Sequence, residues 1–207
     1  FGREAYILTG YFNLSKLVEL ALNGGMDPRT GRQLGPATGP AEDFADFEAF
    51  FEAWRRQLAH FIDLKIRGNN VIEQINARCM PVPFLSLLID DCITKGRDYN
   101  AGGARYNTAY IQGVGLGSTT DALAAVKHHV YDRRTLTMAE LKQALADDFE
   151  GFEALRRRLL DDTPKYGNDD EEADAVLREV FEAYYAAVNG RPNTRGGVHR
   201  VNLLPTT

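Results

Sequence analysis

Two cysteines in 207 residues, Cys79 and Cys92, are too few for a disulfide framework or a cysteine metal set, which points to a reducing cytoplasm. The four histidines (His60, His128, His129, His199) show no HExxH pattern and no pairing with cysteine, so a zinc centre is not expected. No apolar run reaches the roughly 18 residues of a membrane span. The first residues, FGREAYILTG, lack the basic, apolar and small-residue segments of a signal peptide. An excess of basic charge is lacking too: a net charge of −5, with Lys and Arg interspersed among acids, argues against a general nucleic-acid binder. The densest basic run, Arg156 to Arg158, has acids at both ends and reads as a solvated helix face. With no Ser/His/Asp grouping and no cofactor fingerprint, residue types and spacing name no reaction.

What is present is 44% hydrophobic sequence, enough for one sizeable core or two modest ones. The organising stretch runs from Tyr99 to Tyr131. Gly102 and Gly103 release a polar-aromatic run, Gly113, Gly115 and Gly117 end it, and Ser118 to Asp121 are placed to cap a following helix. A phosphate cradle is the sharper alternative. GVGLGS lacks the third glycine of GxGxxG and has no GK[ST] behind it, so a strand, a glycine corner and a helix is the better reading.

Before that stretch, residues 4 to 12 are β-branched and aromatic and predict a strand. Asn13 or Ser15 caps a helix carrying Leu14, Leu17, Val18 and Ala21, stopped by Asn23-Gly24-Gly25. Residues 26 to 40 form a Pro/Gly loop that is either functional or simply surface. From Asp43 to about Asn76, Phe47, Phe50, Phe51, Trp54, Leu58, Phe61 and Ile62 recur at three and four; core is favoured over a cofactor box. Gly68-Asn69-Asn70 is a candidate kink. After Pro81 and Pro83, FLSLLIDDCITK predicts one helix ending at Gly96, with Cys92 a buried structural thiol.

Beyond the central stretch, Thr137 and Glu140 make a capping box and Leu136 with Leu141 a hydrophobic staple. Phe152, Leu155 and Leu159 carry another helix. Asp169 to Glu172 read as the acidic first turn of a last helix rather than a cation site, because consecutive carboxylates do not converge on one point. That helix ends at Asn189-Gly190-Arg191-Pro192. The chain starts on Phe1 and stops after the apolar run VHRVNLLPTT, so both ends are expected to be cut from a longer polypeptide.

ARYNTAYIQGVGLGSTTDALAAVKHHVYD (104–132), FEGFEALRRRLL (149–160) and PKYGNDDEEAD (164–174), with YFNLSKLVELALNGG near the start, resemble the glycyl radical enzymes, the pyruvate formate-lyase family, over essentially the whole chain. Within that family FGREAYILTGYFNLSKLVELALNGG, KIRGNNVIE, DYNAGGARYNTAYIQG and RVNLLPTT are most similar to the branch that dehydrates trans-4-hydroxy-L-proline to pyrroline-5-carboxylate. The same scaffold serves formate C-acetyltransferases and glycerol-type dehydratases, which are the alternatives. A non-catalytic helical scaffold or binding domain is the alternative of another class.

The resemblance implies a helix-rich α/β fold: part of a ten-stranded barrel with surrounding helices, its staves near residues 4 to 12, 104 to 114 and 198 to 207. Residues 1 to 207 would be part of a pyruvate formate-lyase type domain, without its cysteine loop and its glycyl radical domain. No catalytic residue is then expected in this chain, and Cys79 and Cys92 match neither loop. Tyr11 corresponds to an aromatic position facing the substrate cavity, a buried stave residue being the other reading, and Thr206 or Thr207 to a strand end that meets substrate. The resemblance further implies no dissociable cofactor, a protein glycyl radical on a residue outside this chain, a radical-SAM activating enzyme as partner, a small-molecule substrate, a homodimer, and no nucleic acid or membrane. An anaerobic cytoplasm suits that chemistry. A fragment of this kind should leave strand edges and apolar helix faces without partners.

Overall fold

A computed structural model of the chain describes residues 2–203. In chain order the elements are β1 (Glu4–Asn13), α1 (Ser15–Leu22), the short strands β2 (Met26–Asp27) and β3 (Arg32–Gln33), α2 (Phe47–Cys79), α3 (Pro83–Leu87), α4 (Cys92–Lys95), β4 (Tyr106–Val114), α5 (Leu116–Ala125), a π-helical segment (Val126–Asp132), α6 (Met138–Ala146), α7 (Glu153–Asp161), α8 (Glu171–Val188) and β5 (His199–Leu203). They fall into two compact units.

The first unit comprises residues 2–12, 61–113 and 184–203. Its three predicted strands form one sheet in the order β1-β4-β5. β4 and β5 are parallel, paired from Ala109↔His199 to Gly113↔Leu203. Tyr106 N donates to Arg3 O and Thr9 Oγ1 to Tyr110 O, so β1 runs the same way. One face of the sheet meets helices. Asn69 Nδ2 donates to Thr9 Oγ1 at 2.9 Å, and Lys65 Nζ to Thr9 O. Ile62, Ile66, Ala109, Ile111, Tyr184 and Val188 are buried, each large aliphatic contributing about 1.5–3 kcal/mol. Tyr184 donates its hydroxyl to Ile111 O at 2.8 Å, and its ring lies so close to Gly113 that an added Cβ would stand 2.9 Å from Cε1. Only glycine fits there.

A charged pair is sunk in the same unit. Arg195 Nε stands 3.2 Å from Glu73 Oε1, with both side chains almost wholly buried. Arg195 Nη2 donates to Thr108 O at 3.0 Å, while Glu73 Oε2 accepts from Thr194 N and Oγ1. Neighbouring His199 is fully buried, and burial pushes its pKa down, so the ring is neutral. Asn70 donates its Nδ2 to Pro192 O, which leaves Oδ1 to accept from His199 Nε2 at 3.0 Å.

The second unit comprises residues 13–60 and 114–183. Here the aromatic ridge of α2 is ordinary core: Phe50, Phe51, Trp54 and Leu58 are buried, and Phe51 stacks on Trp54 at 5.2 Å. Asn13 Oδ1 caps α1 by accepting from Lys16 N. Ser15 Oγ meets Ser118 Oγ at 2.7 Å and ties α1 to α5. Thr137 and Glu140 form the predicted capping box at α6, with Leu136 and Leu141 both buried beside it. Asp170 Oδ1 accepts from Glu172 N and Ala173 N, so the acids before α8 serve its N-terminus.

Four local expectations need correction. FLSLLIDDCITK is two short helices, because Asp91 turns left-handed (φ 74°) with its carboxylate held by Arg105 at 2.8 Å and Lys95 at 3.6 Å. α2 runs unbroken through Gly68-Asn69-Asn70, since both asparagine side chains find tertiary partners instead of competing for the helix backbone. The hydroxyls of Ser118 and Thr119 turn back to Gly115 O rather than capping amides. The loop at 26 to 40 contains the small antiparallel pair β2-β3, anchored by Gln57 Nε2 on Pro36 O.

Candidate functional site

The other face of the sheet is polar, open along β1 and at Tyr106 but covered at Thr108 and Gln112 of β4. Burial alternates along β1, with Ala5 buried and Glu4, Tyr6 and Leu8 exposed, until Gly10, whose φ is +98°. Beyond that glycine the phase slips by one residue, so that Tyr11 is exposed and Phe12 buried. The hydrogen bonds agree: between Tyr106 N to Arg3 O and Leu14 N to Val114 O, β1 spends one residue more than β4. This slip keeps Phe12 on the helix side, stacked with Tyr184 at 6.1 Å, and turns Tyr11 to the open face.

The slip also brings Tyr11 level with Gln112, which is in register with Asn202. Tyr11, Gln112 and Asn202 therefore make one row across the sheet, toward the C-terminal ends of its strands. Below them Tyr6 stacks on Tyr110 at 4.4 Å and accepts at its hydroxyl from Asn202 Nδ2 at 3.0 Å. Tyr110 donates to Glu4 Oε1 at 3.2 Å, and burial, with Glu4 beside it, raises the Tyr110 phenol pKa.

Tyr11 is 69% exposed in this chain and has no hydrogen-bond partner among the described residues. Gln112 is the opposite: it is fully buried, and neither its Nε2 nor its Oε1 has a hydrogen-bond partner among the described residues. An unsatisfied buried polar group costs about 1–3 kcal/mol. Thr206 and Thr207 lie outside the described residues. Cys79 is exposed; Cys92 is buried, close against Gly103, and burial pushes its thiol pKa up. For Cys92 that is the reverse of what a reactive thiol needs.

Clefts lie elsewhere in both units. One of about 210 Å³ in the first unit is bordered by Thr9, Asn69, Glu73, Asn76 and Arg195. One of about 590 Å³ in the second unit is bordered by Phe44, Phe47, Asp46 and Tyr131. Neither includes Tyr11. Among the described residues no group of three or more His, Cys, Asp or Glu is placed to hold a metal ion, and no helix is long and apolar enough to cross a membrane. Sequence reasoning missed Tyr6, Tyr110, Gln112 and Asn202. The alternation in YNTAYIQG, with Tyr106, Thr108, Tyr110 and Gln112 on one side and Asn107, Ala109, Ile111 and Gly113 on the other, was the available signal.

The family model described as pyruvate formate lyase-like matches residues 1–207. The chain belongs to that family. Among the relatives of this pyruvate formate lyase-like chain, the trans-4-hydroxy-L-proline dehydratase of Clostridioides difficile is 53% identical over 207 residues, all of this chain and 26% of that protein. The crystal structure of hydroxyproline dehydratase from the same organism, with trans-4-hydroxy-L-proline bound, matches with a TM-score of 0.97 over 100% of this chain and 26% of that one, at 52% identity. The glycerol-bound B12-independent glycerol dehydratase of Clostridium butyricum matches with a TM-score of 0.90 over 97% of this chain and 25% of that one, at 37% identity. The chain thus spans about a quarter of the length of these relatives. It is a helix-rich α/β piece of their fold.

Proposed function

We propose that this chain is the part of a glycyl radical dehydratase that supplies one wall of the substrate cavity, and that the whole protein removes water from trans-4-hydroxy-L-proline to give pyrroline-5-carboxylate. The observation that carries the reading is the 53% identity to the hydroxyproline dehydratase across every residue of the chain, against 37% to the glycerol enzyme. The open sheet face supports it. Tyr11 offers an exposed phenol, without a hydrogen-bond partner among the described residues, at the C-terminal ends of parallel strands, where α/β proteins place ligands.

In this reading Tyr11 and Thr206 or Thr207 contact substrate, and residues 1 to 207 are part of a pyruvate formate-lyase type domain. A glycyl radical on a residue outside the chain supplies hydrogen abstraction, after generation by a radical-SAM activating enzyme; no dissociable cofactor is needed. What this chain contributes is orientation and exclusion of water: the tyrosine-bearing face holds the small substrate, and the packed helices behind the sheet keep solvent away. The assembly is a homodimer in an anaerobic cytoplasm, with no nucleic-acid or membrane partner.

The scaffold alternative is disfavoured by surface. Val71, Ile72, Ile75, Met80, Phe84, Leu87, Leu88 and Ile93 are all more than half exposed in the first unit, which suits a piece packed within a larger protein better than an independent domain. The test is to produce a polypeptide of the relatives' full length carrying this chain, activate it anaerobically, and follow pyrroline-5-carboxylate from trans-4-hydroxy-L-proline. Turnover of glycerol, or of pyruvate with coenzyme A, but not of the imino acid would overturn the assignment.

A further inference from the structure

We infer that Gln112 is a substrate-binding residue of the open sheet face, its carboxamide taking up the polar substituents of a small hydroxylated imino acid bound against Tyr11. The inference rests on the function proposed above and adds to it a residue and a role. Three observations meet at this position. Gln112 has 0% exposure and two polar atoms without hydrogen-bond partners among the described residues, an arrangement that folding alone disfavours. It sits in register with Asn202 and level with Tyr11, on the face that also bears Tyr6 and Tyr110. The neighbouring Tyr11 is 69% exposed, and its phenol has no hydrogen-bond partner among the described residues.

Packing does not require an amide here. A methionine would fill nearly the same volume without an unsatisfied group, so the polar side chain is a stability cost of the kind that functional sites carry. A carboxamide presents both a donor and an acceptor. A cyclic amino acid bearing a hydroxyl offers the complement: a hydroxyl, a carboxylate and a secondary ammonium. The amide is out of reach of solvent in the unliganded chain, but three side-chain torsions let it swing toward a ligand at Tyr11 without moving the strand.

The experiment uses the full-length protein, with Gln112→Met and Gln112→Glu. KM and kcat for trans-4-hydroxy-L-proline are measured on activated enzyme, its dissociation constant on unactivated enzyme by calorimetry, and melting on both. Gln112→Met should melt at or above the parent, yet raise KM and the dissociation constant roughly tenfold with kcat changed less than about threefold, as expected for the loss of one or two neutral hydrogen bonds. Gln112→Glu keeps the shape but loses the donor and should weaken binding as well. A KM and a dissociation constant within about twofold of the parent in soluble variants would overturn the inference, and would mean that the amide is satisfied by chain elsewhere in the protein. If Gln112→Met does not fold, the binding constant of Gln112→Glu decides. A parent that does not turn over the imino acid defeats the proposed function and this inference together; an active parent with parent-like variants defeats this inference alone.

Discussion

Glu73→Gln tests whether the buried pair with Arg195 holds the segment that leads into β5. The substitution keeps the shape, and the new amide oxygen still accepts from Thr194 N and Oγ1, now at 3.0 and 2.9 Å. What it removes is the one carboxylate paired with Arg195 among the described residues, the arginine side chain being 2% exposed. Breaking one side of a buried pair costs about 3–5 kcal/mol, because the remaining charge stays buried and uncompensated. Arg195 keeps its bond to Thr108 O, so the low end applies, about 3 kcal/mol or roughly a hundredfold in the opening equilibrium. Amide hydrogen exchange over residues 192 to 198 of the full-length protein reads this locally, without assuming two-state unfolding of a large chain. Glu73→Gln combined with Arg195→Met removes the stranded charge and should recover most of the lost protection. Exchange within about threefold of the parent in the single variant, or a double variant as labile as the single one, would refute the reasoning.

Other expectations are smaller in scope. Gly197→Ala would place a Cβ 1.8 Å from Asn107 O and should abolish soluble expression, whereas Gly31→Ala, with nothing within 4 Å and only its φ of +65° against it, should cost about 1–2 kcal/mol in a melting assay. Thr137→Ala removes the hydroxyl that accepts from Glu140 N and should cost about 1 kcal/mol, with Thr137→Ser restoring it; equal melting of all three would count against the capping account. Burial lowers the pKa of His199, and burial followed by His128 and Arg158 lowers that of His129. The unfolded chain therefore binds protons more readily, so this stability is complete above the ordinary histidine value of about 6.5 and is lost as pH falls through the lowered folded values. Urea midpoints should drop between pH 7.5 and pH 5.5, and less so in His199→Gln; a flat profile would contradict this.

Local signals carried much of the architecture. The three-and-four spacing of Phe50, Phe51, Trp54, Leu58 and Ile62 is enough to specify a helix with one buried face, and all five are core. Thr137 and Glu140 mark a helix start because their partners are three residues away, and Asp170 before α8 works the same way. The family was legible in the order of several motifs.

Other features depended on partners far along the chain. Asn69 and Asn70 look like helix breakers by local preference, yet Thr9, Pro192 and His199 occupy their side chains and α2 continues. FLSLLIDDCITK has one apolar pattern, but Arg105, fourteen residues away from Asp91, helps hold the turn that divides it. The candidate site is the clearest case. Strand periodicity of two assigns faces only while pairing is regular, and the slip at Gly10 reverses the assignment for Tyr11. Sequence by itself determined the three strands of the main sheet and the cores and caps of the longer helices, because those preferences are set within a few residues. Tertiary structure alone decided that Tyr11, Gln112 and Asn202 share one row and that Gln112 is buried without a partner, because register and burial are properties of chains brought together.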